Sequence, residues 1–338
     1  MRIVFALVVL LSLALPSSAF AHVGKTPPVA TDFHARITQP VRGIETKVVD
    51  GDQTLWLDAG PHTVAVDGIQ GEPLLRFDRH GVWLNLHSVT AQTDRIDRFD
   101  LRPDPNPHAR PLWHKVAGGR SYMWHEHRLH LLEPLAKGLD KPAALGSWTI
   151  PLVVDGRREA LQGVLEYRPP PSALTWIGLA VALAIVGSLA AWRSRRTTVL
   201  LALTSVPVVW ALRIARELYG RPTVGVVGRL DLAITSVVGV ALVYGLVHRD
   251  RGVRVSVAFF TAFGALYQAL TMYTVLTRAD ALTDLPTWVI RVAVALTFGL
   301  GGAVLAGSWN ALFDERNAVR EREPRGSPEE SAAGTRAA

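Results

Sequence analysis

The run "SYMWHEHRLHLLEP", residues 121–134, holds three histidines, two glutamates and an arginine together with two aromatic residues. Neutral imidazole is a ready ligand for borderline divalent metals, and it changes charge near neutral pH. On a β-strand, His125 and His127 lie two apart and project from the same face. They can share one ion if a third ligand arrives, and His130 supplies it if the strand bends before Pro134. Glu126 projects the other way, toward its same-face neighbour Arg128. The competing reading makes the run an ordinary strand edge, with Trp124 and Leu129 packed and the imidazoles bonded to backbone or water. His22 is the remaining candidate. Cleavage of an export signal after Ala21 would make it the first residue, whose amine and ring suit Cu(II). A cut after Ala19 would place Phe20 first instead.

Other chemistry finds less support. Cysteine is absent, which removes disulfides, thiolate zinc sites and thiol nucleophiles. The three methionines, Met1, Met123 and Met272, form no thioether ladder for Cu(I). No G-x-S-x-G, H-E-x-x-H or phosphate loop occurs, so no catalytic residues are expected and the chain does not read as an enzyme. In "GEPLLRF" (71–77) Glu72 and Arg76 can engage a polar ligand, although a turn feeding a strand explains the same residues. Arg213, Arg216, Glu217, Arg229, Asp231 and Arg291 fall within or beside apolar spans, where ionisable groups are candidates for function. Arg213 can pair with Glu217 at i,i+4 spacing, Asp231 can pair with Arg213 or Arg216 across helices, and the group as a whole can dock the preceding domain.

The segments that would position these residues fall into three parts. Residues 1–21 have the form of a signal peptide: Arg2, an apolar stretch to Leu15, Pro16 and then Ala19-Phe20-Ala21. Residues 22–168 read as an all-β domain. "TLWL", "HTVAV", "LLRF" and "VWLNL" alternate with the turn segments "DAGP", "DGIQG" and "DRHG", and "WTIPLVV" and "LQGVLEY" form a late hairpin. "RPDPNPHARP" at 102–111 cannot be a central strand. Many short strands at this spacing indicate an immunoglobulin-like sandwich. A Pro-rich linker at 169–172 leads to five apolar stretches, approximately 173–192, 198–217, 223–247, 254–276 and 286–309, each near the roughly 20 residues of a spanning helix. The expected membrane domain is 173–310, followed by a cytoplasmic and largely disordered tail at 311–338.

Charge fits this layout. The chain carries a formal +7, but 22–172 holds 18 basic and 18 acidic residues, so the excess lies beside the apolar spans. Excess there orients a membrane protein and gives no basic patch for nucleic acid. "RSRR" at 193–196 and "HRDRGVR" at 248–254 then lie inside, with the β-domain outside and the C-terminus inside. Ten of the eleven histidines fall in that exported domain.

"GIQGEPLLRFDRHGVWLN", "YMWHEHRLHLLEP" and "LEYRPPPSALTW" resemble uncharacterised actinobacterial multi-pass membrane proteins with an exported histidine-containing β-domain. That resemblance implies the architecture and no activity. "HVGKTPP" after the signal, together with the terminal "W…VDG…G.L.Y" hairpin, resembles the periplasmic copper-binding proteins of copper resistance. The likeness implies an N-terminal histidine ligand with a later Asp and His in a D-G-H turn. Here that turn is Asp155-Gly156-Arg157, and arginine does not ligate; His125 and His127 would have to replace it. The expectation is therefore an all-β sandwich ahead of an all-α five-helix transmembrane bundle. Copper is the expected cofactor, with His22, His125, His127 and His130 as metal residues. The bilayer and a divalent ion are the expected partners, and another envelope protein is the partner if no metal binds.

Overall fold

A computed structural model describes residues 28–96, 104–131, 139–219 and 226–322. The signal segment, His22 and the end of the tail from residue 323 lie outside the described residues. The first part of the chain is β-rich. It runs through β1 (Ala30–Thr31), β2 (Phe33–Gln39), β3 (Glu45–Val49), β4 (Thr54–Asp58), β5 (Val64–Asp67), β6 (Pro73–Asp78) and β7 (Gly81–Asn85). A five-residue helix α1 (Val89–Thr93) precedes β8 (Trp113–Ala117), β9 (Ser121–His125), β10 (Ala143–Val154) and β11 (Arg157–Tyr167).

Strands β2 to β11 make two antiparallel sheets, one ordered β2-β11-β10-β5-β6-β7-β8 and the other β3-β4-β9. Alternation along the strands sends one face of each into a shared core. Leu55, Leu57 and Trp124 of the small sheet bury against Val66, Phe77, Leu84, Ile150 and Leu161 of the large one. Phe77 and Trp124 meet ring to ring at 6.4 Å between centroids. The domain is thus a β-sandwich, as its turn spacing indicates. The β10–β11 hairpin turns through Asp155 and Gly156 at φ +48° and +83°, the left-handed pair favoured in two-residue hairpin loops. The turn is tighter than "DGRREA" suggests, because Arg157 to Ala160 already pair in β11.

Five long helices follow: α2 (Ala173–Arg193), α3 (Arg195–Leu218), α4 (Val226–Leu246), α5 (Arg251–Thr271) and, after the short β12 (Asp280–Ala281), α6 (Thr287–Arg322). All five are long and apolar enough to cross a bilayer. The chain is a multi-pass membrane protein. Helix α6 packs on α2, α3 and α5 through small residues: Gly187 lies against Ala303, Gly299 against Leu183, and Gly307 against Thr198. Small contacts of this kind let helices approach closely where lipid removes any hydrophobic drive. Helix α6 does not stop near residue 310 but continues to Arg322, through a segment rich in Ala, Leu, Glu and Arg, all good helix formers.

The β-domain is docked on the bundle. β1 pairs with β12, a two-residue strand in the loop between α5 and α6. Asp32 accepts from Arg278 at 2.6 Å and from the Ala279 backbone at 2.7 Å. Asp280 is held by His34 at 3.0 Å and Arg168 at 2.9 Å. Three of the arginines singled out beside the apolar spans divide between two tasks. Arg216 donates to the Pro28 carbonyl, and Arg291 clamps the carbonyls of Val275, Arg278 and Ala279 behind the docking loop. Arg213 pairs with Asp231 inside the bundle, not with Glu217.

Candidate metal centre

Residues 124–130 do not stay on one strand. β9 ends at His125, and Glu126 caps a 3-10 turn over His127–Leu129. The strand alternation that places His125 and His127 on one face therefore does not apply, and the turn assembles the histidines instead. Its cause is Glu126, whose side chain is fully buried. Its carboxylate takes two bonds from the Arg128 guanidinium, at 2.7 and 2.8 Å, and one from the Trp124 indole at 3.0 Å. The Arg128 amide adds another at 3.2 Å, and Arg128 also reaches the Asp67 carbonyl at 2.9 Å. Burial works to raise the Glu126 pKa, but the hydrogen bonds and positive charge of Arg128 outweigh it and hold the carboxyl below its ordinary value.

Folded this way, the turn gathers three rings. Centroids of His125 and His130 lie 4.8 Å apart, those of His125 and His127 5.0 Å, and those of His127 and His130 5.6 Å. Nε2 of His125 faces Nε2 of His130 at 3.3 Å. Behind the rings stand two carboxylates that spacing in the sequence does not disclose. Asp94, which ends α1, accepts from the His127 backbone amide at 3.3 Å and lies 2.5 Å from Nδ1 of His127 without hydrogen-bonding geometry. Asp52, in the β3–β4 turn, meets Nδ1 of His130 at 3.2 Å and is itself bonded by Gln53 at 2.9 Å. A carboxylate on Nδ1 favours the tautomer that leaves Nε2 free to ligate, and Asp52 offers one to His130.

The electrostatics favour a neutral His125 ring. Burial, then the charges of His130 and His127, push the His125 pKa down to about 4. Asp94 moves the other way, up to about 6, because it is buried and lies near Glu126; His127 opposes that rise. Among the described residues, no group of three or more His, Cys, Asp or Glu side chains is placed to hold a metal ion. Two nitrogens meet, and the His127 ring stands nearly perpendicular to His125, at 86°.

Other sequence candidates have structural work. Glu72 is buried and bonded by Ser88 at 2.7 Å, the Thr90 amide and the Gln70 amide, tying α1 to the β5–β6 loop. Arg76 stacks between Trp83 and Trp113. Asp155 of the D-G-R turn is paired with His62 at 2.7 Å. Comparison with known protein families, curated proteins and solved structures returns no match.

Proposed function

We propose that the β-domain binds one divalent metal ion through His125, His127 and His130, and that the chain handles or senses that ion at the membrane. The supporting observation is the pair of facing Nε2 atoms, each on a ring of a three-histidine cluster backed by Asp52 and Asp94. Metal–nitrogen bonds of about 2.0–2.1 Å give a nitrogen–nitrogen edge of about 3.3 Å in a tetrahedron and about 2.9 Å in a square plane. The observed 3.3 Å suits the tetrahedral edge, hence zinc or a non-planar copper site. A Cu(II) square plane would need His22 as a further ligand and a shift of the two rings. Mature protein beginning at His22 makes copper the ion of choice; otherwise zinc is.

A route to the bundle supports sensing. Asp52 follows Gly51, which has φ +80° and sits so close to Thr31 and the Phe33 carbonyl that a Cβ would lie 2.7–2.8 Å from each. Thr31 pairs with Asp280 of the docking loop. A shift of Asp52 on metal binding would thus press on the joint with the bundle. In this reading the sandwich lies outside the membrane and the C-terminus inside, an orientation supported by the signal-like form of residues 1–21 and by the basic segments "RSRR" and "HRDRGVR".

A second reading keeps the sandwich as a docking module for an envelope protein, with the histidines as a hydrogen-bonded edge. It is favoured by the fact that His127 and His130 already have carboxylate partners. Competition of the full chain, in mild detergent, against chelators of graded affinity separates the two. The metal reading expects one high-affinity Zn(II) or Cu(II) per chain, weakened at least a hundredfold in His125→Ala/His130→Ala with thermal stability little changed. Equal weak binding by both proteins, or loss of fold without metal, would favour the module. A reporter fused after Ala338 that is active only inside the cell supports the orientation, and one active outside overturns it.

A further inference from the structure

Arg213, Asp231 and Gln268 sit on three different helices at one level of the bundle. Arg213 lies five residues before the end of α3 at Leu218, which is about 7–8 Å of helix. Asp231 is equally close to the start of α4, and Gln268 lies three residues before the end of α5. This is the end nearest the β-domain, since Arg216 on the same helix reaches the Pro28 carbonyl. One Arg213 nitrogen bonds both oxygens of Asp231 at 2.8 and 2.9 Å, and the other approaches the Gln268 carbonyl oxygen at 3.4 Å. The Gln268 amide nitrogen makes no hydrogen bond among the described residues.

These groups line a cavity of about 120 Å³ between α3, α4 and α5. Below them the wall is mostly apolar, with Val209, Leu242 and Phe260; the Ser205 and Thr261 hydroxyls in it are bonded to their own helices, and at Gly264 an added Cβ would meet nothing within 4 Å. Trp210, Phe260 and Tyr267 belong both to the wall and to the outer, lipid-facing surface of the bundle. The cavity therefore opens sideways into the bilayer. A charged pair is costly at this depth and is kept where it faces partners or a cavity. One polar end at the depth of lipid ester groups and one apolar end toward the hydrocarbon match a membrane amphiphile. As a unit the Arg–Asp pair is neutral but dipolar, which complements a zwitterion: phosphate oxygens toward Arg213 and Gln268, an ammonium toward Asp231.

We propose that this cavity is a lateral binding site for one zwitterionic phospholipid, independent of the histidine cluster. The full chain is reconstituted in vesicles of phosphatidylethanolamine and phosphatidylglycerol at three to one, extracted in mild detergent and weighed by native mass spectrometry. The expected result is one phosphatidylethanolamine retained per chain, more strongly than its share of the vesicle. Gly264→Leu, which fills the cavity without touching a charge, should lower that occupancy at least tenfold. Arg213→Ala/Asp231→Ala, which leaves no lone buried charge, should do the same. Retention of no lipid, retention unchanged in Gly264→Leu, preference for phosphatidylglycerol, or a co-purifying isoprenoid quinone in the same place would each overturn the proposal.

Discussion

Replacing Glu126 by Gln should show how the metal cluster is built. Glu126 is fully buried, and its partner Arg128 has a side chain only 14% exposed. The Trp124 indole and the Arg128 amide bond different oxygens of Glu126, so glutamine keeps an acceptor for only one of them, and it removes the charge that matches the guanidinium. Breaking one side of a buried pair typically costs about 3–5 kcal/mol, because the surviving charge stays buried without compensation. For a domain of this size each kcal/mol lowers the melting temperature by roughly 2–4 °C, so the loss should be on the order of 10 °C. Near-ultraviolet circular dichroism of the full chain in detergent, following the buried aromatic core, reads the transition. Adding Arg128→Met should recover part of the loss, since it removes the charge that Glu126→Gln leaves buried without compensation. Metal affinity should fall in the single variant, because His127 and His130 ride on the turn that Glu126 caps. Acid should reproduce the effect. The Glu126 pKa is lowered by folding, so its stabilisation is present above the unfolded value of 4.5 and is lost as pH falls through the depressed one. A Glu126→Gln shift under about 3 °C, or no rescue by Arg128→Met, would refute the view that this pair builds the turn.

Metal affinity should rise with pH to about 6, where Asp94 gives up its proton and begins to hold His127 as an anion; Asp94→Asn should remove that step from a binding-versus-pH curve. The same raised pKa means that Asp94 favours the folded state when protonated, so its contribution to stability declines between pH 3.8 and about 6. At the joint, hydrogen bonding from His34, and to a lesser extent from Arg168, outweighs burial and holds Asp280 down at about 2. Docking should therefore persist through mild acid, and Asp280→Asn should expose the 168–172 segment to limited proteolysis at neutral pH. Gly51→Ala should cost about 2 kcal/mol or more, from the left-handed backbone and the clash with Thr31 and Phe33, and should weaken metal binding with it; denaturant unfolding and metal titration read the two effects.

The parts of this molecule set by local chemistry are legible in its sequence. "DAGP", "DGIQG" and "DRHG" fall between β4, β5, β6 and β7 because turn residues act on their own backbone. The five apolar stretches are legible because the bilayer fixes their length. Glu126 with Arg128 is legible as a local pair. The histidine geometry is not, since period-two reasoning assumes a strand through 127 and the buried Glu126–Arg128 pair ends it at His125. Asp52 and Asp94 reach the cluster from 78 and 33 residues away in the chain, and no spacing rule joins them to it. Asp231 stood out as an ionisable group in an apolar span, and helix packing then chose Arg213 from the partners open to it.

The central claim is that Nε2 atoms of His125, His127 and His130 converge on one ion. X-ray absorption at the metal edge, on the full chain loaded with one equivalent of Zn(II) or Cu(II), tests it most directly. The claim requires a signature of three imidazole nitrogens at about 2.0–2.1 Å, reduced to one in His125→Ala/His130→Ala. An oxygen-dominated, aqua-like shell in the unaltered protein, or an imidazole count unchanged by the double substitution, would contradict it.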